Sequence, residues 1–224
     1  MIRTILPAPV VAAEAFGDPP SPIELFAEEE AALGQSVPKR RNEFITARWC
    51  ARAALAELGL PPAPIVPGVR GAPRWPDGTL GSITHCDGYR ACALGRAEDV
   101  VTIGIDAEPA ADLPDGVLEA ISLPTERDRL RLLRATAPGI RWDRLLFSAK
   151  ESVYKAWFPL TQRWLDFEEA DISLVPDGTF TARLLTELPT VQGRTLTGLE
   201  GRWTAGDGLL LTSIVILRDP RPTS

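Results

Sequence analysis

Across 224 residues the chain carries 45% hydrophobic and 24% charged residues, the balance of a folded globular protein rather than a disordered or membrane-embedded one. Its longest apolar runs fall far short of a spanning helix. A net charge of −6 disfavours long-range attraction to nucleic acid. Three cysteines, odd in number and without a C-x-x-C pair, fit a reducing cytoplasm better than a disulfide scaffold.

The opening MIRTILPAPVVAAEAF imitates a secretory signal, but Pro7 and Pro9 interrupt it and a single basic residue precedes it, so no leader is expected. Residues 39 to 58 place Phe44, Ile45, Trp49, Ala53 and Leu55 at roughly helical spacing, with Gly59, Pro61 and Pro62 as the stop. On this helix Lys39, Arg40, Arg41, Arg48 and Arg52 concentrate positive charge on an otherwise acidic protein. Arg41, Arg48 and Arg52 share one face by their spacing and Arg40 lies to its side. Such a patch reads phosphate or is a solvated face. Six prolines between 61 and 79 predict an extended loop ending in a Pro-Asp-Gly turn. GSITHC, YRACALG and VVTIGIDAE then read as three strands of a small antiparallel sheet, with Cys86 and Cys92 as small buried thiols or neighbours across its hairpin.

The second half opens with helical DGVLEAISL and TERDRLRLLRAT and a long helix over 141 to 158. Strands follow at DISLV, TFTARLL and in a hairpin around Gly206-Asp207-Gly208. Each half thus offers helix first and antiparallel strands after. The expected fold is α+β, a pseudo-dimer of two similar subdomains at residues 1–109 and 110–224, each a helix packed on a small antiparallel sheet, with the site in the cleft between them. No residue-level repeat accompanies this symmetry.

Strand alternation sends Ile103, Ile105 and Ala107 to one face of TIGIDAEP and Thr102, Gly104, Asp106 and Glu108 to the other. Two neighbouring carboxylates repel, and a hard divalent ion such as Mg²⁺ relieves the repulsion; the plain alternative is two solvent-facing acids. In FSAKESVYKAW, Ser148 and Glu151 match a capping box, yet the apolar stripe Leu145, Leu146, Ala149, Val153, Ala156 and Trp157 runs through that point and places Ser148 inside the helix. Glu151 and Lys155 form an i,i+4 ion pair, and Lys150 and Tyr154 share the adjoining line. That set is either an ordinary helix ion pair or the base and cations of a metal-assisted phosphoryl transfer. His85, the only histidine, is a structural residue or a phosphate donor at a strand end, beside the hydroxyls of Ser82 and Thr84. No G-x-S-x-G, Walker or H-E-x-x-H pattern is present.

GSITHC, GIDAE and FSAKESVYKAWFPLT, in this order and spacing, resemble the 4′-phosphopantetheinyl transferases of the surfactin-synthetase-activating type, most of all the actinobacterial enzymes that activate fatty-acid, polyketide and nonribosomal-peptide carriers. The resemblance covers most of residues 38 to 165. It implies a cytoplasmic enzyme that moves phosphopantetheine from coenzyme A to an acyl or peptidyl carrier protein with Mg²⁺. It implies Asp106, Glu108 and Glu151 as metal ligands and Glu151 and Lys155 as catalytic groups. His85 matches the residue on the 3′-phosphate, the Arg40/Arg48 region the phosphate-binding helix, and Lys150 and Lys155 the motif's two lysines. Arg70, Ser82, Thr84 and Tyr154 complete the expected coenzyme contacts. Phe147 and Ser152 are mild departures from the motif, and Arg70, in Arg70-Gly71-Ala72-Pro73, lies near the loop where the family places a basic residue before G-x-P. A monomer is expected, because one chain completes the site. A Mg²⁺-dependent phosphohydrolase acting on a nucleotide diphosphate and a silent coenzyme-binding partner are the alternatives.

Overall fold

The computed structural model describes residues 1–19 and 23–219; residues 220–224 of the expected second subdomain lie outside them. In chain order the elements are β1 (Val11–Phe16), α1 (Ala27–Leu33), α2 (Pro38–Glu57), β2 (Thr79–Cys86), β3 (Tyr89–Arg96), β4 (Val100–Pro109), α3 (Val117–Ile121), α4 (Pro124–Thr136), α5 (Trp142–Thr161), β5 (Ala170–Val175), β6 (Thr179–Leu184), the short pair β7 (Thr190–Val191) and β8 (Arg194–Thr195), β9 (Gly198–Gly206) and β10 (Leu209–Leu217). The α+β class is as expected.

Pro38 begins α2 with its φ already helical and no amide to satisfy, and Gly59 at φ 72° follows its end. Residues Cys50, Ala51, Ala54 and Leu55 press α2 onto β1 and β3 through Ala15, Cys92 and Leu94. The sheet here is β1-β3-β2. β1 was not foreseen, and it takes the third place expected for β4.

β4 pairs instead along its length with β10, at the edge of a five-stranded antiparallel sheet ordered β4-β10-β9-β6-β5. Sheet pairing therefore crosses the 109/110 boundary. Asp207 and Gly208, both at positive φ, make the tight turn between β9 and β10. α5 lies across this sheet and buries Trp142, Leu146, Val153 and Trp157 against Phe180, Trp203 and Leu210. Each such side chain contributes about 1.5–3 kcal/mol on burial.

β4 joins the two layers. Ile103, Ile105 and Ala107 pack against Tyr89, Ala91 and Ala93 of β3, while the opposite face looks at α5, as the alternation requires. Cys86 and Cys92 do not face each other: their cross-strand partners are Tyr89 and Ile83. Cys50, Cys86 and Cys92 are all free. Among the described residues no helix is long and apolar enough to cross a membrane.

Candidate active site

Two residues of strand advance about 6.6 Å and one four-residue helical step about 6.0 Å, so β4 and α5 stay in register as they run antiparallel. Thr102 Oγ1 donates to Ala156 O at 2.7 Å, Gly104 lies under Ser152, and Glu108 Oε2 accepts from Arg144 at 3.0 Å. Gly104 is required here: a Cβ at this position would stand 2.1 Å from Ser152 O. Its absence lets the two backbones approach closely enough for Lys155 Nζ to donate to Asp106 Oδ1 at 2.7 Å.

Asp106 is only 4% exposed. Besides Lys155, its Oδ1 accepts from Thr84 Oγ1 at 3.3 Å, and its buried Oδ2 has no hydrogen-bond partner. Glu151 is half-buried on the wall of a cavity of about 700 Å³. Burial pushes its carboxyl up, Lys155 opposes this, and the charge of Asp106 adds to it. Glu108 is likewise pushed up by burial and then by Asp106, against Arg144 and Lys155. Three acids thus share one electrostatic neighbourhood, although among the described residues no three His, Cys, Asp or Glu side chains are grouped tightly enough to form a ready metal cage. The donor set is all oxygen, and Asp106 Oδ2 is an unspent buried ligand atom; both features fit a hard cation.

The cavity's lining also holds Arg40, Arg48, Arg70, Arg74 and His85, with Glu43 and apolar residues such as Phe44, Trp75 and Phe158 among them. Arg48, 7% exposed, stacks its guanidinium 3.4 Å from the Phe44 ring centroid and donates from Nε and Nη2 to Ile65 O at 3.0 and 2.8 Å. Burial lowers its pKa to about 10. Arg40 is exposed at the rim. His85 is held below its ordinary value by desolvation; Glu43 opposes this, and Lys155, Arg40 and Arg90 reinforce it. Arg70 sits at a left-handed φ of 53° and places its guanidinium over Trp164, 5.1 Å from the ring centroid, across the cavity mouth. Tyr154 packs against Phe158 and Trp164 at 5.9 and 5.0 Å, with its hydroxyl buried and unpartnered.

Three expectations are corrected, for Lys150, for Arg41 and Arg52, and for Thr84. Lys150, assigned to a phosphate, is 3% exposed and points away from the cavity. Its ammonium pairs with Glu126 at 2.9 Å and donates to Phe167 O and Ala170 O at 2.6 and 2.7 Å, which leaves no donor for a ligand. Arg41 and Arg52 of the basic helix are spent on Glu30 and Glu29. Thr84 points at β4 and does not line the cavity. Ser82 does line the cavity; its hydroxyl accepts from Ile105 N–H at 3.1 Å and keeps its own proton to donate. Arg74, which lines the cavity, and Arg144, which holds Glu108 and the carbonyls of Ala111 and Asp112, were missed. Helical spacing holds a signal for Arg144 and Lys150: Arg144, Ser148, Glu151 and Lys155 follow one line, whereas Leu146, Lys150, Val153 and Trp157 follow the buried one.

A cavity that gathers Glu151 and Lys155 with Arg40, Arg48, Arg70 and Arg74 is that of an α+β enzyme suited to an anionic substrate. The chain belongs to the 4′-phosphopantetheinyl transferase superfamily: residues 28–95 match the family model "4'-phosphopantetheinyl transferase N-terminal domain" and residues 102–205 the model "4'-phosphopantetheinyl transferase superfamily". It is similar to the 4′-phosphopantetheinyl transferase Svp of Streptomyces mobaraensis, 58% identical over 219 residues that cover 96% of this chain and 89% of the relative. PptT of Mycobacterium tuberculosis is 51% identical over 225 residues, 96% of this chain and 98% of the relative. Npt of Nocardia iowensis is 51% identical over 223 residues, 96% and 99%. Both bear the same enzyme name, and 4′-phosphopantetheinyl transfer is the activity of this chain.

Proposed function

We propose that the enzyme, of the surfactin-synthetase-activating type, moves the 4′-phosphopantetheine arm of coenzyme A onto a serine hydroxyl of an acyl or peptidyl carrier protein and releases adenosine 3′,5′-bisphosphate. The observation that carries this reading is the meeting of buried Asp106 on β4 with Lys155 of α5, which lines, together with Glu151, a cavity that Arg40, Arg48, Arg70 and Arg74 also line. Asp106, Glu108 and Glu151 would hold Mg²⁺, which supplies charge neutralisation at the diphosphate when bound. The chain acts as a cytoplasmic monomer, since both cavity walls come from one polypeptide and its cysteines are free.

Glu151, raised by burial, is a stronger base than an ordinary carboxylate and takes the proton of the incoming serine Oγ. The new Oγ–P bond forms as the P–O bond to the nucleotide breaks. Lys155, its ammonium steadied by Asp106, faces the charge that gathers on the departing phosphate. Arg40, Arg48 and His85 fix the 3′-phosphate, and Arg70 and Tyr154 border the path to the mouth. At that mouth Trp164 is 51% exposed and Arg163, paired with Glu187 at 2.7 Å, stands beside it, a cationic and apolar rim suited to an acidic carrier.

Intact-protein mass spectrometry of an apo carrier incubated with the enzyme, coenzyme A and Mg²⁺ tests the proposal, with a gain of roughly 340 Da as the expected product. Consumption of coenzyme A at the same rate without carrier overturns it in favour of a phosphohydrolase.

A further inference from the structure

β2 and β4 lie side by side, yet no backbone ladder joins them: β2 pairs with β3 and β4 with β10. Buried amides on the β4 edge still need acceptors. Two side chains of β2 supply them. Ser82 Oγ accepts from Ile105 N–H at 3.1 Å and Thr84 Oγ1 from Ala107 N–H at 3.0 Å, so a two-residue step on one strand meets a two-residue step on the other. Both hydroxyl residues are buried, at 4% and 1% exposure.

The two rungs differ in one respect. Thr84 Oγ1, while accepting from Ala107, donates its own proton to Asp106 Oδ1 at 3.3 Å, beside the Lys155 ammonium on the same oxygen. Oδ1 therefore carries two donors and Oδ2 none. An ionised carboxylate free to rotate would share its donors between both oxygens. Here the amide of Ala107 fixes the hydroxyl, and the hydroxyl fixes which oxygen is spent.

We infer that Thr84 is a positioning residue for Asp106: it commits Oδ1 to the protein's own donors and keeps Oδ2 free for the divalent cation. This rests on the metal role proposed above for Asp106. It also replaces the expectation that Thr84 touches the coenzyme. Outer-shell partners of metal-binding carboxylates act in this way, and their loss weakens metal affinity by about 10–100-fold.

Mn²⁺ binding to the coenzyme-free protein, followed by electron paramagnetic resonance, reads the effect without turnover, and urea unfolding of each variant reads stability. Thr84→Val removes the donor while keeping the shape and is expected to weaken Mn²⁺ binding at least about tenfold. Thr84→Ser retains the hydroxyl and restores affinity to within about threefold of the parent. Ser82→Ala removes the neighbouring rung, lowers the urea midpoint about as much as Thr84→Val does, and leaves Mn²⁺ affinity unchanged. Should Thr84→Val not fold, Thr84→Ala carries the same expectation without setting a methyl against the carboxylate. Unaltered Mn²⁺ affinity in the Thr84 variants, or an equal loss in Ser82→Ala, overturns the inference and leaves Thr84 a structural rung. Failure of the parent protein to bind Mn²⁺ overturns the metal reading and this inference with it.

Discussion

Adding one methyl group at Gly104 probes the contact on which the site depends. The new Cβ would meet Ser152 O at 2.1 Å, Ala156 N at 2.7 Å and Ala156 Cβ at 3.0 Å. Regaining an ordinary separation of roughly 3.5 Å demands that α5 and β4 part by more than about 1 Å. Neither element yields easily: α5 is buried against the five-stranded sheet, and β4 is hydrogen-bonded to β10 along one edge and packed on β3 across its other face. Overpacking of this kind costs about 1–3 kcal/mol. In a chain of this length about 2 kcal/mol corresponds to a fall in Tm of roughly 4–8 °C. Asp106 rides on β4 and Lys155 and Glu151 ride on α5, so the same displacement opens the 2.7 Å contact, and a 1 Å misplacement costs about 10²-fold in rate. Thermal melting followed by circular dichroism, with carrier modification timed by mass spectrometry, measures both. Gly104→Ala with an unchanged Tm and a transfer rate within about twofold of the parent would refute the reasoning.

Lys150→Met is expected to destabilise the fold by about 3–5 kcal/mol, because Glu126 stays buried without its counter-charge; a rise in KM for coenzyme A at unchanged Tm would return Lys150 to the substrate. Arg40→Ala should weaken coenzyme A binding about tenfold with no change in Tm, whereas Arg48→Ala should lower affinity and Tm together, since its guanidinium also secures Ile65 O. Isothermal calorimetry and melting curves separate the two. Burial holds the pKa values of Glu108 and Glu151 above their unfolded ones, so between the two values the native state binds more protons and these groups subtract stability as pH rises. Mg²⁺ should therefore raise Tm more at about pH 8 than at about pH 5.5; equal gains would argue against both as ligands. Arg163→Glu should raise KM for the carrier and leave coenzyme A affinity alone, and equal loss of both would reject the mouth as the docking rim.

Periodicity was a good guide where one face is buried. The apolar stripe of α5 and the alternation of β4 are found as read, whereas the buried face of α2 runs through Phe44, Ala47, Cys50, Ala51, Ala54 and Leu55 and leaves Ile45, Trp49 and Ala53 half-buried; Ser148 lies within α5, bonded to Thr212 rather than capping a helix. What alternation cannot supply is a neighbour: it separates the faces of β4 but does not say that its ladder runs to β10, more than a hundred residues away. β1 was lost because Pro7, Pro9 and a run of alanines resemble a leader more than a strand. Like charges on a helix face say nothing about where their counter-charges lie, so Arg41 and Arg52 looked equal to Arg48 until Glu29 and Glu30 of α1 folded over them. Lys150 and Glu151 are consecutive, hence about 100° apart around the helix, and only one of them faces β4.

Diffraction from crystals grown with coenzyme A and Mn²⁺, with an anomalous map computed at the manganese edge, tests the site most directly. The expected result is a single strong peak in contact with Asp106, Glu108 and Glu151, next to the coenzyme's diphosphate, with Lys155 on the phosphate and Lys150 still buried on Glu126. A peak remote from Asp106, or a diphosphate bound away from the wall formed by β4 and α5, would contradict it.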